Sequence, residues 1–293
     1  MDVGVGLPMR AQLSDELVGF VQEVEAGPFS SVSLGQRLTF ESNDPMIALT
    51  YVAAVTQRIR LMTSVLCLPF HKEGVTAQQA ATLDRLSKGR FSFGIGLGGR
   101  QSDFAVAPEA WARRGERFEA QVLAMKRIWA GQPPFEGTEP VGPTPFTPGG
   151  PELIVGGFAP AALRRAGRIA DGLRSFDFAL NVDTHLERYA LVTEAWEEAG
   201  RPGRPRLITA ANFALGPDAD RTFGEHVAKY YGYDKDLVAW AMSGEAPTTE
   251  QAVTAAIRRF ADAGIDEMVF TTTTVDDQGD SLRRLADAVA AAT

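Results

Sequence analysis

The densest pattern in the chain is Arg90-Phe91-Ser92-Phe93-Gly94-Ile95-Gly96-Leu97-Gly98-Gly99-Arg100, where Gly94, Gly96 and Gly99 satisfy the spacing G-x-G-x-x-G. A dinucleotide site needs that spacing between a first strand and a helix that opens at once, because the pyrophosphate sits on free helical N–H groups. Here the pattern follows three earlier strand candidates, and Gln101-Ser102-Asp103-Phe104 shows no amphipathic start. It reads instead as a strand end that needs close backbone approach, or as bare backbone against which a flat ligand lies. A second candidate is Ile154-Val155-Gly156-Gly157-Phe158-Ala159-Pro160-Ala161, a strand running through two glycines into a helix with proline near its start. Such a turn is either a plain βα connection or a place where the first N–H groups of the helix hold a phosphate. No P-loop lysine accompanies it, which disfavours an ATPase.

Two reactive side chains follow one another in Thr63-Ser64-Val65-Leu66-Cys67-Leu68-Pro69-Phe70-His71. Cys67 has no basic partner nearby and reads as an inert core thiol. His71, near a strand's C-terminal end, stands either where barrel enzymes keep their chemistry or in a solvated loop. His185 and His226 fall on helical segments and are expected at the surface. Asp276, Asp277 and Asp280 read as a solvated loop and helix cap rather than a cation site. Tyr230-Tyr231-Gly232-Tyr233 either caps a pocket or merely packs.

The elements that must position these residues alternate from end to end. Short runs rich in β-branched residues predict strands at 3–7, 31–35, 60–66, 90–96, 152–156, 172–176, 207–215 and 267–272. Helical periods predict helices at 14–26, 45–57, 75–87, 111–130, 160–170, 183–199, 218–230, 249–263 and 279–292. Phe118, Val122, Met125 and Trp129 form one buried stripe, and Asn43-Asp44-Pro45 reads as a helix cap with proline just inside. Eight strands each followed by a helix call for a parallel sheet covered by helices. That is the count of a TIM barrel, with a doubly wound open sheet as the structural alternative. The stretch 131–151 holds seven prolines and five glycines and reads as a long connection inside one domain spanning 1–293.

Composition narrows the partners. Lys plus Arg is 29 against 37 for Asp plus Glu, a formal charge of −8, so an acidic surface speaks against nucleic acid. No apolar run is long enough for a membrane span, and the N-terminus lacks a secretory pattern. One cysteine and three histidines leave little for a metal site. The expectation is a cytoplasmic protein without a resident metal.

In order and spacing, several stretches resemble the bacterial-luciferase-like family of flavin- and deazaflavin-dependent oxidoreductases. They are Phe29-Ser30-Ser31-Val32, Gln57-Arg58-Ile59-Arg60-Leu61, and Gln79 through Lys88-Gly89-Arg90 into Phe91-Ser92-Phe93-Gly94-Ile95-Gly96. Val155-Gly156-Gly157 with Ala161-Ala162-Leu163-Arg164-Arg165-Ala166 and Ala170-Asp171-Gly172 completes the set. The resemblance covers almost the whole chain. It implies a TIM barrel, commonly dimeric through the helices after strands two and three, with reduced insertions at this length. It also implies an isoalloxazine or deazaflavin ring at the C-terminal mouth, resting on a bulge with a non-proline cis peptide, here Ser64-Val65. The cofactor phosphate is then expected near Gly156, Gly157, Phe158 and Ala161, with Leu97, Gly98 and Gly99 approaching the cofactor. One of Arg113, Arg114 and Arg117 would add a counter-charge.

Many relatives carry an acid and a catalytic histidine after strand two. Here that stretch is Leu34-Gly35-Gln36-Arg37-Leu38. The resemblance therefore leaves Arg37, holding an anionic substrate or the electron-rich edge of a reduced flavin, and His71 as the catalytic candidates. The first functional expectation is a two-component monooxygenase using reduced FMN from a separate flavin reductase on a small organic substrate. The alternative is hydride transfer with the deazaflavin coenzyme F-420. A non-catalytic flavin-binding barrel is the third. The absence of a basic patch for the polyglutamyl tail of coenzyme F-420 places FMN first.

Overall fold

The computed structural model describes residues 1–107, 111–178, 180–244, 246–273 and 278–292. Its strands are β1 (Asp2–Gly6), β2 (Ser31–Leu34), β3 (Arg60–Thr63), β4 (Leu66–Cys67), β5 (Phe91–Gly96), β6 (Glu152–Gly156), β7 (Gly172–Phe176), β8 (Arg206–Phe213) and β9 (Glu267–Thr272). All pair in parallel in the order β3-β2-β1-β9-β8-β7-β6-β5-β4, and β3 also pairs with β5, which closes the sheet. β3 and β4 are two halves of one stave, so the molecule is an eight-stave TIM barrel and the open-sheet alternative falls away. With it falls the dinucleotide reading of Gly94, Gly96 and Gly99, since the fold has no switch point between sheet halves.

The surrounding helices are α1 (Ser14–Ala26), α2 (Pro45–Val55), α3 (Glu73–Leu86), α4 (Gln101–Val106), α5 (Arg114–Trp129), α6 (Pro160–Ile169), α7 (Val182–Glu198), α8 (Ala219–Tyr231), α9 (Lys235–Ser243), α10 (Glu250–Asp262) and α11 (Gln278–Ala292). Two of them depart from the sequence reading. Gln101–Val106 is helical although its pattern shows no amphipathic start, being too short to display a period. Lys235–Ser243 forms a helix between the predicted helices 218–230 and 249–263, where the sequence reading places no element. Asp44 caps α2 as expected, accepting from Met46 N and Ile47 N at 3.0 Å each. Phe118, Val122, Met125 and Trp129 are all buried on α5. The proline-rich stretch is tied down by Asp84, which is fully buried and accepts from Thr147 N at 2.7 Å and Thr147 Oγ1 at 3.0 Å.

Outward-facing residues such as Val3, Val5, Leu61, Phe93, Leu153 and Leu207 pack under the helices in the main core. The inward faces follow a period of two and change chemistry with height. At the floor, the first inward residues of four staves form an ion network. Arg206 donates to Glu152 at 2.8 Å and Glu267 at 2.7 Å, and Arg60 donates to Glu152 at 3.0 Å. Ser30 and Ser31 donate to Glu267, and Ser92 donates to Glu152. One layer up, Met62, Ile154, Ile208, Ala210 and Val269 make an apolar plug. Next comes the polar mouth, where Ser33, Ser64, Arg174, Asn212 and Thr271 face a cavity.

The Glu267 side chain is 2% exposed, and among the described residues Arg206 is its one ion-pair partner. Removing one partner of a buried pair leaves an uncompensated charge. Arg206→Met is therefore expected to lower the unfolding free energy by about 3 kcal/mol, read as a fall in the urea midpoint at unchanged m-value.

Candidate functional site

The mouth is organised by the break in the third stave. Between β3 and β4 the Ser64–Val65 peptide is cis, as the resemblance implies. Backbone bonds hold the segment on both sides: Ser64 N donates to Leu34 O at 2.8 Å, and Gln36 N donates to Val65 O at 3.0 Å. Gln36 Oε1 accepts from Cys67 N at 3.1 Å and meets His71 Nε2 at 3.0 Å. The Val65 side chain lies over the ends of β5 and β6. A Cβ on Gly96 would fall 2.6 Å from Val65 Cγ2, and one on Gly156 would fall 2.8 Å from Val65 Cγ1. Two glycines of the sequence motifs are thus explained by packing against the bulge, a reason the spacing alone does not reveal.

Above this floor lies a cavity of about 290 Å³, with walls from the C-terminal ends of the staves and from α8 and α9. Of the residues nominated from sequence, Ser64, Gly99 and Phe158 line it. Val65, Leu97, Gly98, Gly156, Gly157 and Ala161 surround the mouth without lining this cavity. Gly98 takes φ +74° beneath Phe104 and Cys67. Helix α6 begins at Pro160, which has no N–H, and Ala162 N and Leu163 N both donate to Ala159 O, at 2.8 and 3.0 Å. Of its first turn, Ala161 N is the group left to meet an anion beside Gly156 and Gly157.

Neither catalytic nominee lines the cavity. Arg37 is held at 3.4 Å by Asp103, and its guanidinium lies 4.9 Å from the ring centroids of both Phe40 and Tyr230. Asp103 also accepts from Thr39 N at 2.8 Å, so this cluster ties the loop after β2 to α4 and α8. His71 is half-buried, and burial lowers its pKa, which keeps the ring neutral against Gln36. Cys67 is buried, and desolvation pushes its thiol up to about 12, an inert group. Arg113 pairs with Glu116, and Arg114 stacks on Trp111 at 3.6 Å. Arg117 donates to Ala112 O.

Other residues take the inner positions. His226, expected at the surface, lines the cavity and stacks on Tyr230 with centroids 5.6 Å apart. Burial brings its pKa down to about 4, so it faces the cavity as neutral imidazole. His185 is also inside the protein, at 0% exposure, its ring edge-on to Phe260. Both sit on inward faces of their helices, a placement that tertiary packing decides. Tyr230, Tyr231 and Tyr233 all line the cavity, which settles the open reading of that cluster in favour of a pocket wall. Arg100 lies 4.5 Å from the Tyr230 ring and 4.6 Å from the Tyr233 ring. Asn212 Nδ2 donates to the Tyr231 hydroxyl at 3.4 Å.

Arg174 on β7 stands apart. Its Nε is buried without a hydrogen-bond partner, and no carboxylate among the described residues pairs with its guanidinium. Burial draws its pKa down to about 10, which still leaves it cationic at neutral pH. The signal in the sequence was an arginine at an inward position of the apolar strand Gly172–Phe176. Asp276 and Asp277 lie outside the described residues, and Asp280 bonds to Arg284 at 2.7 Å. Among the described residues no three His, Cys, Asp or Glu side chains cluster as a metal site, and no helix is long and apolar enough to cross a membrane.

A closed parallel barrel with a ligand-sized cavity at its C-terminal mouth defines a TIM-barrel protein of the enzyme-bearing kind. Within that class, the chain belongs to the luciferase-like monooxygenase family, whose profile matches residues 1–293. It is 31% identical to an uncharacterised protein of Mycobacterium tuberculosis over 173 residues, 56% of this chain and 60% of that protein. It is 33% identical to the F420-dependent glucose-6-phosphate dehydrogenase of Nakamurella multipartita over 190 residues, 58% of this chain and 52% of that protein. These matches span little more than half the length of the curated relatives. The fold superposes on the monooxygenase RslO1 of Streptomyces bottropensis with a TM-score of 0.78 at 20% identity, covering 99% of each chain. An F420-dependent secondary alcohol dehydrogenase gives 0.80 at 18% identity, covering 100% of this chain and 99% of the other.

The contact of Val65 with β5 makes a direct prediction. Gly96→Ala is expected to destabilise the protein by about 2 kcal/mol through overpacking. In a Val65→Ala background the same change is expected to cost less than about half of that, as measured by a double-mutant cycle in urea.

Proposed function

We propose that the chain is an oxidoreductase holding a flavin-type ring at the barrel mouth, with coenzyme F-420 as the cofactor and hydride transfer to or from an organic substrate as the reaction. The observation that carries this reading is the cofactor named by relatives above 30% identity. The dehydrogenases of N. multipartita, at 33%, and Microbacterium testaceum, at 32%, are both F420-dependent. That kinship outweighs the missing basic patch, which alone ranked FMN first. The cavity suits a planar ring, being about 290 Å³ and walled by aromatic side chains, with an uncapped helix start nearby. When bound, coenzyme F-420 would supply or accept the hydride.

The protein's own residues divide the remaining work. Ser64, Gly99 and Phe158 would flank the ring, while Gly156, Gly157 and the start of α6 would receive the phosphate. His226, neutral inside the cavity, would take up or release the substrate proton at a ring nitrogen. The tyrosines and Trp240 would exclude water. The second reading, a cytoplasmic monooxygenase using reduced FMN from a partner reductase, draws support from the family's description as luciferase-like monooxygenases.

Anaerobic calorimetry with oxidised FMN, reduced FMN and coenzyme F-420 tests the choice. F-420 is expected to bind tightest. Preference for reduced FMN would transfer the assignment to the second reading, and failure of all three would leave a non-catalytic barrel. Gly99 lines the cavity, and a Cβ there meets nothing within 4 Å. Gly99→Leu is therefore expected to keep the wild-type melting temperature and lose at least tenfold in cofactor affinity, about 1.4 kcal/mol.

A second copy of the chain is the proposed partner for the α2–α3 face. Ile47 is 74% exposed, and Val75 and Leu86 are each 59% exposed, beside a groove that includes Tyr51 and Leu83. A surface of that kind marks an association site. Sedimentation is expected to show a dimer for the wild type and a monomer for Ile47→Glu.

A further inference from the structure

The barrel interior keeps an account of charge by layers. At the floor, Arg60 and Arg206 meet Glu152 and Glu267, two cations with two anions. Arg174, higher on the inner face, has no such partner among the described residues, and no Asp or Glu is among the described residues lining the cavity. The second cation there, Arg100, spends its guanidinium on tyrosine faces and on Tyr230 O at 3.3 Å. One guanidinium is therefore left facing the cavity, and its planar fork matches a single carboxylate.

Position in the ring of staves separates this group from the cofactor side. Following the pairing order, β7 stands four staves from β2 and β8 stands four from β3. Arg174 and Asn212 thus occupy the wall opposite Gly35 and Ser64. The surroundings of that wall are flat and apolar. Phe178 sits 4.8 Å from each of Phe176, Tyr231 and Trp240, all edge-on. Asn212 and the Tyr231 hydroxyl add neutral donors nearby.

We propose that this wall is a substrate site for a planar aromatic carboxylate. Its carboxylate forks onto Arg174, its ring packs among Phe176, Phe178 and Trp240, and the cofactor ring lies on the facing Ser64 side. The proposal rests on the cofactor reading above only for that last placement. A single unpaired guanidinium suits a monoanion, whereas a phosphate dianion would call for further donors of charge.

Calorimetry with benzoate and its neutral isostere benzamide tests the site, on cofactor-free protein and on protein saturated with whichever cofactor binds. Benzoate is expected to bind at least tenfold more tightly than benzamide. Arg174→Met is expected to erase that preference while cofactor affinity changes less than threefold. It is also expected to raise the melting temperature of the ligand-free protein, because an unpaired buried cation has been removed. Arg174→Lys keeps the charge without the fork, is expected to weaken benzoate three- to tenfold, and serves the same comparison should the Met variant not fold.

Equal affinity for the two probes, or binding of neither, would overturn the proposal. So would a loss of FMN affinity in Arg174→Met with riboflavin affinity unchanged, since Arg174 would then be the cofactor's phosphate receptor. A wild type that prefers benzoate but binds no cofactor would overturn the cofactor reading and support the carboxylate site. Cofactor binding without benzoate preference would do the reverse.

Discussion

Val65 leaves the line of the third stave and sets its two methyl groups over the ends of β5 and β6, where Gly96 and Gly156 offer no Cβ. Much of the mouth depends on that contact. It interrupts one strand into β3 and β4, turns the Ser64 side of the bulge towards the cavity, and brings Gln36 within reach of Cys67 N and His71. Close packing makes the arrangement discrete, because a methyl group on either glycine would occupy space that Val65 already fills. Of the three glycines that imitate a dinucleotide fingerprint, Gly96 is the complement of this valine, Gly94 makes room for Thr63 O, and a Cβ on Gly99 would meet nothing within 4 Å.

Height in the barrel sorts the remaining chemistry. Each stave contributes alternate residues inward, as in Arg60-x-Met62-x-Ser64, Glu152-x-Ile154-x-Gly156 and Arg206-x-Ile208-x-Ala210-x-Asn212. Charges at the floor can be buried because they meet one another and three serine hydroxyls. The apolar layer above isolates them from the mouth. An unpaired charge in the upper layer then has no compensation from below, and a ligand is the natural source of one. Stability and function use the same side-chain type at different heights, with opposite demands on its partners.

The outer wall of the cavity comes from α8 and α9, which hold a small core of their own around Phe178, Phe223 and Val227. This wall brings His226 and three tyrosines over the mouth and engages Arg37 and Arg100 from the loops after β2 and β5. Arg37 was a natural candidate for chemistry from its place in the sequence. Asp103 and the two flanking rings give it a tethering task instead, joining parts of the chain that lie far apart in sequence.

Local pattern was enough to place the alternating strands and helices and the turn at Gly156-Gly157, but it left a barrel and an open sheet both possible. The family and the bulge at Ser64-Val65 were read from resemblance, and the β3–β5 pairing closed the barrel. A period of two or 3.6, a proline at a helix start and a glycine at a strand end each act over a few residues, so they can be read without knowing the fold. The occupants of the cavity depend on contacts between staves and helices more than a hundred residues apart. Whether His226 faces water or ligand is set by the rotation of α8 against the barrel. Whether Arg174 has a partner is set by which strands become its neighbours. No spacing along the chain encodes either fact, and only closure of the barrel, with α8 and α9 folded across its mouth, decided them.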